Sequence, residues 1–208
     1  MIIRFVHGWG FDRSLWDRVV ALLPEHDCRR EDRGYFGDSV EAPIAGEHLA
    51  VTHSLGTLHA LAAPAPECRG MLAINGFDRF AAAPDFPGVA LRVLDRMLQR
   101  LAAAPAAVVG EFRARCGSPP AAGVPDLLRL HCDLLMLRNM DCHAGPWLAP
   151  LHTLEADDDP LLPPQMRDAL FASAPQRLRL RQPAGRHLLP LTAPAACAAA
   201  IRDVLDKL

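Results

Sequence analysis

Leu49-Ala50-Val51-Thr52-His53-Ser54-Leu55-Gly56 decides how this chain reads. An apolar run ends in a tight Ser-x-Gly turn, and a stretch of small residues follows. The pattern predicts a strand over 49–53, a sharp turn at Ser54 and a helix from about Leu55 to Ala63. A strand of this kind delivers a serine to the rim of a sheet, and the turn lifts its hydroxyl clear of neighbouring backbone. Small side chains around the turn permit that backbone. Where glycine usually stands two residues before the serine, this chain has Thr52, a β-branched residue that crowds the turn.

Outward from the serine, the pieces that such a turn needs appear in order. Upstream, Ile2-Ile3-Arg4-Phe5-Val6 is strand-like and runs into His7-Gly8-Trp9-Gly10. That loop offers the backbone N–H of Trp9, and the residue after the serine offers that of Leu55. Two such donors are what a developing oxyanion requires. Downstream, Leu151–Glu155 reads as a short strand followed by Ala156-Asp157-Asp158-Asp159-Pro160-Leu161-Leu162-Pro163. Gln176–Arg181 alternates with period two and leads into Pro183-Ala184-Gly185-Arg186-His187. Ser54, an aspartate near 159 and His187 therefore follow one another in chain order. Each lies in a loop past the C-terminal end of a strand, where open parallel sheets place their sites. Singly, each has a plainer reading: a common Ser-x-Gly, a solvated acidic loop, a surface histidine. Their joint occurrence points to a nucleophile, base and acid. His7 and His53 flank the site and take supporting roles.

The rest of the chain separates into a core and an interruption. Ser14 is a candidate N-cap for a helix over 15–23, and a short strand is expected near 27–31. Asp32–Gly37 is a Gly-containing loop, and 70–76 is a buried strand with a glycine stop. From Phe77 to Trp147 the periodicity is helical throughout, with segments at 89–103, 107–116 and 124–140 broken by Pro and Gly. The expected organisation is a core of 1–76 and 148–208, with 77–147 a helical cap over the C-terminal edge of a mostly parallel sheet. The core resumes with a strand at 151–155, a helix at 164–173, a strand at 176–181 and a helix over 194–207. Arg92, Arg96 and Arg100 share one helix face at spacing i, i+4, i+8. The plain reading is a solvated face partly paired with Asp95 and Glu111; the functional one is a surface for an anionic partner or substrate.

Bulk properties narrow the class. With 208 residues, half of them hydrophobic, the chain can build one α/β domain with a sizeable core. A net charge of −2 gives no field that would draw it to nucleic acid or a membrane surface. No apolar run reaches transmembrane length. Met1-Ile2-Ile3-Arg4 enters strand pattern at once, so no signal peptide is expected, and the scattered cysteines make a cytoplasmic protein with reduced thiols the expectation. The six cysteines form no C-x-x-C pair and the nine histidines are unclustered, so reduced thiols and no metal site are expected.

With those residues in view, the chain resembles α/β-hydrolases. Within them it is similar to the carboxylesterases of biotin synthesis that act on the methyl ester of pimeloyl-acyl-carrier protein. His7-Gly8-Trp9-Gly10-Phe11 looks like that group's oxyanion loop, and Thr52-His53-Ser54-Leu55-Gly56 matches its elbow apart from the first position. Asp85-Phe86-Pro87-Gly88-Val89 opens the cap as in the group, and Glu111-Phe112 falls where a cap helix lines the acyl tunnel. Asp159-Pro160-Leu161-Leu162-Pro163 fits the acid loop, which singles out Asp159, and Ala184-Gly185-Arg186-His187 fits the histidine loop. Relative to the group, the antiparallel strands before the oxyanion strand are absent, and Gly37–Leu49 is too short for the usual long helix. The reduced sheet is thus expected to be thinly covered on one side. The group's carrier-binding arginines do not align one by one.

The resemblance implies a serine esterase; its mechanism needs no metal or organic cofactor, and a monomer is expected. Ser54 attacks an ester carbonyl, His187 moves the proton and Asp159 orients His187. Trp9 and Leu55 N–H groups hold the oxyanion. Trp9, Phe112, Arg92 and Arg96 are the expected substrate-binding residues, and an acyl-carrier protein bearing an acyl methyl ester is the expected partner. Two other readings use the same residues: a generic small-molecule carboxylesterase, thioesterase or lactonase, or a hydrolase fold retained as an inactive binding protein.

Overall fold

The structure is a computed structural model that describes residues 1–41, 44–145, 149–174 and 177–208. Among the described residues six strands form one sheet: β1 Ile2–Val6, β2 Asp27–Arg30, β3 His48–His53, β4 Cys68–Ile74, β5 Leu151–Ala156 and β6 Arg177–Gln182. Their order is β2-β1-β3-β4-β5-β6, and every pairing is parallel. Parallel strands need crossovers that cover both faces, which makes their sequences continuous apolar runs rather than alternating ones. All six residues of β3 are buried, as are all six of β5.

The period of two still operates, by sending successive side chains to different cores. Leu49, Val51, Leu72 and Ile74 point into one, with the terminal helix α8, Pro194–Leu205, and the short α1, Asp17–Val20. Ala50, Met71 and Ala73 point into the other, with α2, Leu55–Ala62, and helices inserted between β4 and β5. Both faces are thus covered, although among its described residues the 37–47 segment contributes no helix.

Among its described residues the insertion holds three helices: α3 Leu91–Ala103, α4 Pro105–Cys116 and α5 Leu127–Asn139. Pro105 opens α4, where its missing N–H costs nothing, and the Asp126 carboxylate caps α5 through the Arg129 N–H at 3.0 Å. The two ends of the insertion meet in a neck: Arg79 and Asp141 form an antiparallel bridge, and the Cys142 N–H donates to the Asp78 carbonyl at 2.9 Å. The expected boundary at 147/148 lies outside the described residues, as does the expected start of the last strand at Gln176.

Three local expectations are corrected. The helix expected over 15–23 is a 3-10 turn, Arg13–Trp16, that runs into α1. Ser14 does not cap it. Asp12, one residue before the turn and in extended backbone, accepts the Ser14 N–H at 2.9 Å. The helix expected at 164–173 stops early, as α6, Pro164–Ala169. Phe171 turns left-handed at φ 56, and its N–H leaves the helix to donate to the buried Asp78 carboxylate at 3.0 Å. A further helical turn, α7 at Leu189–Thr192, directly follows the histidine loop. Among the described residues no helix is long and apolar enough to cross a membrane.

Candidate active site

The β3–α2 turn has the geometry that its sequence implies. Ser54 adopts φ 53, a region that non-glycine residues rarely occupy, and sits between the last residue of β3 and the first of α2. Thr52 is accommodated: it is fully buried, and its hydroxyl lies 2.8 Å from that of Thr57, one turn into α2. The crowding expected from a β-branched residue is offset by this hydroxyl pair. Glycine is required instead at Gly56, where an added Cβ would stand 2.4 Å from the Val6 carbonyl. The start of α2 therefore presses directly on β1.

Three loops bring together the residues read from the sequence. The Ser54 hydroxyl lies 3.0 Å from His187 Nε2, and His187 Nδ1 lies 2.8 Å from Asp159 Oδ2. The other Asp159 oxygen accepts the Leu161 N–H at 2.8 Å. A carboxylate at Nδ1 makes that nitrogen the donor, leaving Nε2 to accept the serine proton. Burial alone would raise the Asp159 carboxyl. The charge and hydrogen bond of His187, with the Leu161 N–H, outweigh it and lower it. Asp157 and Asp158 are exposed. Asp157 pairs with Arg181 at 3.1 Å, whereas Asp158 accepts the Arg186 N–H at 2.7 Å within the histidine loop.

The loop after β1 runs against the nucleophile. A Cβ added at Gly8 would stand 2.8 Å from Ser54 Cβ and 2.9 Å from His53 Nδ1. His7 Nδ1 donates to the Gly8 carbonyl at 2.9 Å while its Nε2 accepts the Arg33 N–H at 3.0 Å. The Gly8 carbonyl and the Trp9 N–H belong to one planar trans peptide, so holding the carbonyl aims the N–H the opposite way. The Trp9 ring is buried and donates to the Leu130 carbonyl of α5 at 2.9 Å. Leu55, as the first residue of α2, presents an N–H with no intrahelical acceptor. His53 donates from Nε2 to the His187 carbonyl at 2.9 Å. Burial, then the neighbouring His187, hold His53 neutral down to about 3.

A cavity of about 360 Å³ lies among the inserted helices, within the range of small-ligand pockets. Its apolar wall includes Val93, Leu94, Met97, Val108, Phe112 and Leu161. Phe112 packs edge-on against Trp9, with ring centroids 4.9 Å apart. Leu161 belongs to the acid loop. These two residues join the cavity to the surroundings of the triad. Arg96 lines it, together with Arg115 and an Arg100 that is paired to Glu111 at 2.6 and 2.7 Å. Arg92 is exposed on the same helix and is not among the lining residues, and Asp95 pairs with Arg138 of α5 rather than with either arginine. Among the described residues Arg92 and Arg96 have no carboxylate partner.

Sequence patterns did not reveal the groups that secure this arrangement. Arg113 in α4 is buried and, among the described residues, makes no ion pair with a carboxylate. It donates to the carbonyls of Gly10 and Pro119 at 2.8 Å, and its guanidinium lies 4.9 Å over the Phe11 ring. Asp133 in α5 takes both guanidinium branches of Arg33 and the Tyr35 hydroxyl, with His59 Nε2 3.3 Å away. Asn75, at the end of β4, ties two catalytic loops. Only its Asn-Gly sequence, a signal for left-handed backbone, hinted at anything beyond a strand stop.

No family model and no curated protein sequence matches the chain. Solved structures do. A thermophilic esterase from Thermogutta terrifontis superposes with a TM-score of 0.78 at 19% identity, covering 100% of this chain and 90% of that one. An esterase from Exiguobacterium antarcticum gives 0.83 at 11% identity, over 99% and 92%. The enol-lactonase from Burkholderia xenovorans LB400 gives 0.66 at 18% identity, over 98% and 90%. Agreement over nearly whole chains, together with the parallel sheet, flanking helices and insertion after β4, shows that this chain has the α/β-hydrolase fold.

Proposed function

We propose that the protein is a serine hydrolase of carboxylic esters. One observation carries this reading: the unbroken relay from Ser54 through His187 to Asp159, with the serine on a left-handed turn. Ser54 attacks the ester carbonyl while His187 takes its proton, and Asp159 stabilises the imidazolium that forms. The N–H groups of Trp9 and Leu55 receive the oxyanion, each such donor being worth about 3 kcal/mol in the transition state. His187 then protonates the departing alkoxide, and water attacks the acyl-enzyme by the same route. The solved esterases of the same fold, and the enol-lactonase, support open-chain and cyclic esters as the class to screen. Ser54→Ala is expected to abolish hydrolysis of short nitrophenyl esters and labelling by a fluorophosphonate, with an unchanged circular dichroism spectrum. A folded wild-type protein that neither hydrolyses esters nor takes the label would favour the inactive binding-protein reading.

A narrower reading is the methyl ester of a pimeloyl chain on an acyl-carrier protein, cleaved in biotin synthesis. It rests on the sequence resemblance and on Arg92 and Arg96, which have no carboxylate partner on α3. An acidic carrier would be steered by such a face, an effect that salt screens. Arg92→Glu with Arg96→Glu should raise the KM for a carrier-bound ester, less so at high salt. Hydrolysis of a small nitrophenyl ester should be nearly unchanged. If neither substrate responds, the helix face is merely solvated and the generic esterase stands.

A further inference from the structure

Asn75 lies outside the relay and is fully buried. It follows the last residue of β4 and holds φ 43, a conformation that asparagine tolerates better than most residues. Its backbone N–H donates to the Leu154 carbonyl at 2.9 Å, continuing the β4–β5 pairing by one step. Its side chain then reaches in two directions. Oδ1 accepts the N–H of Ala156, the last residue of β5 and three before Asp159, at 2.8 Å. Nδ2 donates to the carbonyls of Arg186 at 2.8 Å and His187 at 3.0 Å. The orientation of the carboxamide is fixed by its partners, since one is a donor and two are acceptors.

The histidine loop needs such a hold. Arg186 is left-handed at φ 55, and its peptide neighbours are the catalytic histidine and Gly185. No strand pairing reaches this loop, because β6 ends at Gln182. Among the described residues its backbone is instead held by four side chains: Asn75, the His53 ring at the His187 carbonyl, the exposed Asp158 carboxylate at the Arg186 N–H, and the Thr192 hydroxyl, which donates to the Gly185 carbonyl at 2.7 Å. Asp158 reaches across from the acid loop itself; Asn75 is the buried one that grips both that loop's root, at Ala156, and the histidine loop.

We infer that Asn75 is a positioning residue, whose carboxamide sets the histidine loop against the acid loop so that His187 Nδ1 meets Asp159. The inference rests on reading Ser54, His187 and Asp159 as the catalytic relay. A misplacement of about 1 Å at a reacting group costs on the order of 10²-fold in rate.

Asn75→Gly removes the carboxamide while keeping the left-handed backbone available. Asn75→Asp keeps the acceptor for Ala156 but turns an oxygen towards two carbonyls. Both variants are expected to lose roughly 10²-fold in kcat on a nitrophenyl ester with little change in KM. In the NMR spectrum, the far-downfield proton that His187 Nδ1 donates to Asp159 should broaden or vanish. Folded variants that keep both that proton and the wild-type kcat, losing only thermal stability, overturn the inference. If Asn75→Gly does not fold, Asn75→Ser, which keeps a small polar side chain but is too short to span both loops, takes its place with the same expected losses, and the same retained proton and kcat overturn the inference. The NMR readout needs no turnover. A wild-type protein that shows the downfield proton yet hydrolyses no ester therefore defeats the proposed function and leaves the positioning role intact.

Discussion

At the scale of single residues, the site depends on who may stand close to Ser54. Thr52 occupies a place where glycine is usual, yet the serine still reaches φ 53, because the Thr52 hydroxyl meets that of Thr57 2.8 Å away. Restoring the usual residue is therefore expected to harm the protein. Thr52→Gly would loosen a buried central strand and orphan the Thr57 hydroxyl, costing on the order of 2 kcal/mol. A denaturant midpoint would register the loss, and ester hydrolysis should not improve. A gain in kcat would mean that threonine does strain the turn. Gly56 is the stricter position. With the Val6 carbonyl 2.4 Å from a would-be Cβ, the conflict is with backbone, which cannot rotate away. Gly56→Ala should cost about 3 kcal/mol, at the upper end of overpacking penalties.

At the scale of elements, the inserted helices are wired to the catalytic loops by buried polar contacts. Trp9 donates to α5, and Arg113 of α4 donates back to Gly10. Among the described residues Arg113 makes no contact ion pair; burial lowers its pKa against the opposing charge of Asp12, and carbonyls and aromatic faces satisfy the guanidinium. Five donors in a fixed fork suit that task, and a lysine does not reproduce them. Arg113→Lys is therefore expected to lower kcat roughly tenfold through a looser oxyanion loop, with labelling by fluorophosphonate slowed in parallel. If thermal stability falls while kcat holds, Arg113 fastens the helices but does not shape the loop.

At the scale of the whole molecule, ionisable groups buried between the insertion and the core make stability depend on pH. Burial works to raise the Asp133 carboxyl, but His59 and Arg33 outweigh it and bring it to about 2. Its folded pKa is below its ordinary 3.8, so its contribution is complete above that value and is lost as pH falls towards 2. His53, held neutral down to about 3 against an ordinary 6.5, likewise favours the unfolded chain progressively as pH falls through that window. The melting temperature should decline in two stages, beginning near pH 6.5 and again near pH 4. Asp133→Asn should shrink the second stage, to which the depressed Asp32 and Asp159 also contribute, and His53→Gln should remove the first. A melting temperature flat from pH 7 to 4 would contradict the buried, neutral placement of His53.

Much of this was legible in the chain itself because it is local or periodic. The run Leu49–Gly56 specifies strand, turn and helix through apolar continuity and small residues, and the order Ser54, Asp159, His187 specifies three loops at strand ends. Distances along the chain say nothing of how those loops are held. The Asn75 carboxamide reaches residues 81 to 112 positions away, and Arg113 reaches Gly10 103 positions back. Such partners carry no sequence period, since a hydrogen bond between loops depends only on where the sheet brings their backbones. Ser14 lost its expected cap to Asp12, and the helix after Pro164 ended early where the Asp78 carboxylate, in the neck of the insertion, accepts the Phe171 N–H. The sequence by itself determined which residues stand at the rim of the sheet. Tertiary structure alone decided which buried polar groups align them, because an unsatisfied backbone group in the interior takes whatever donor or acceptor the fold places beside it.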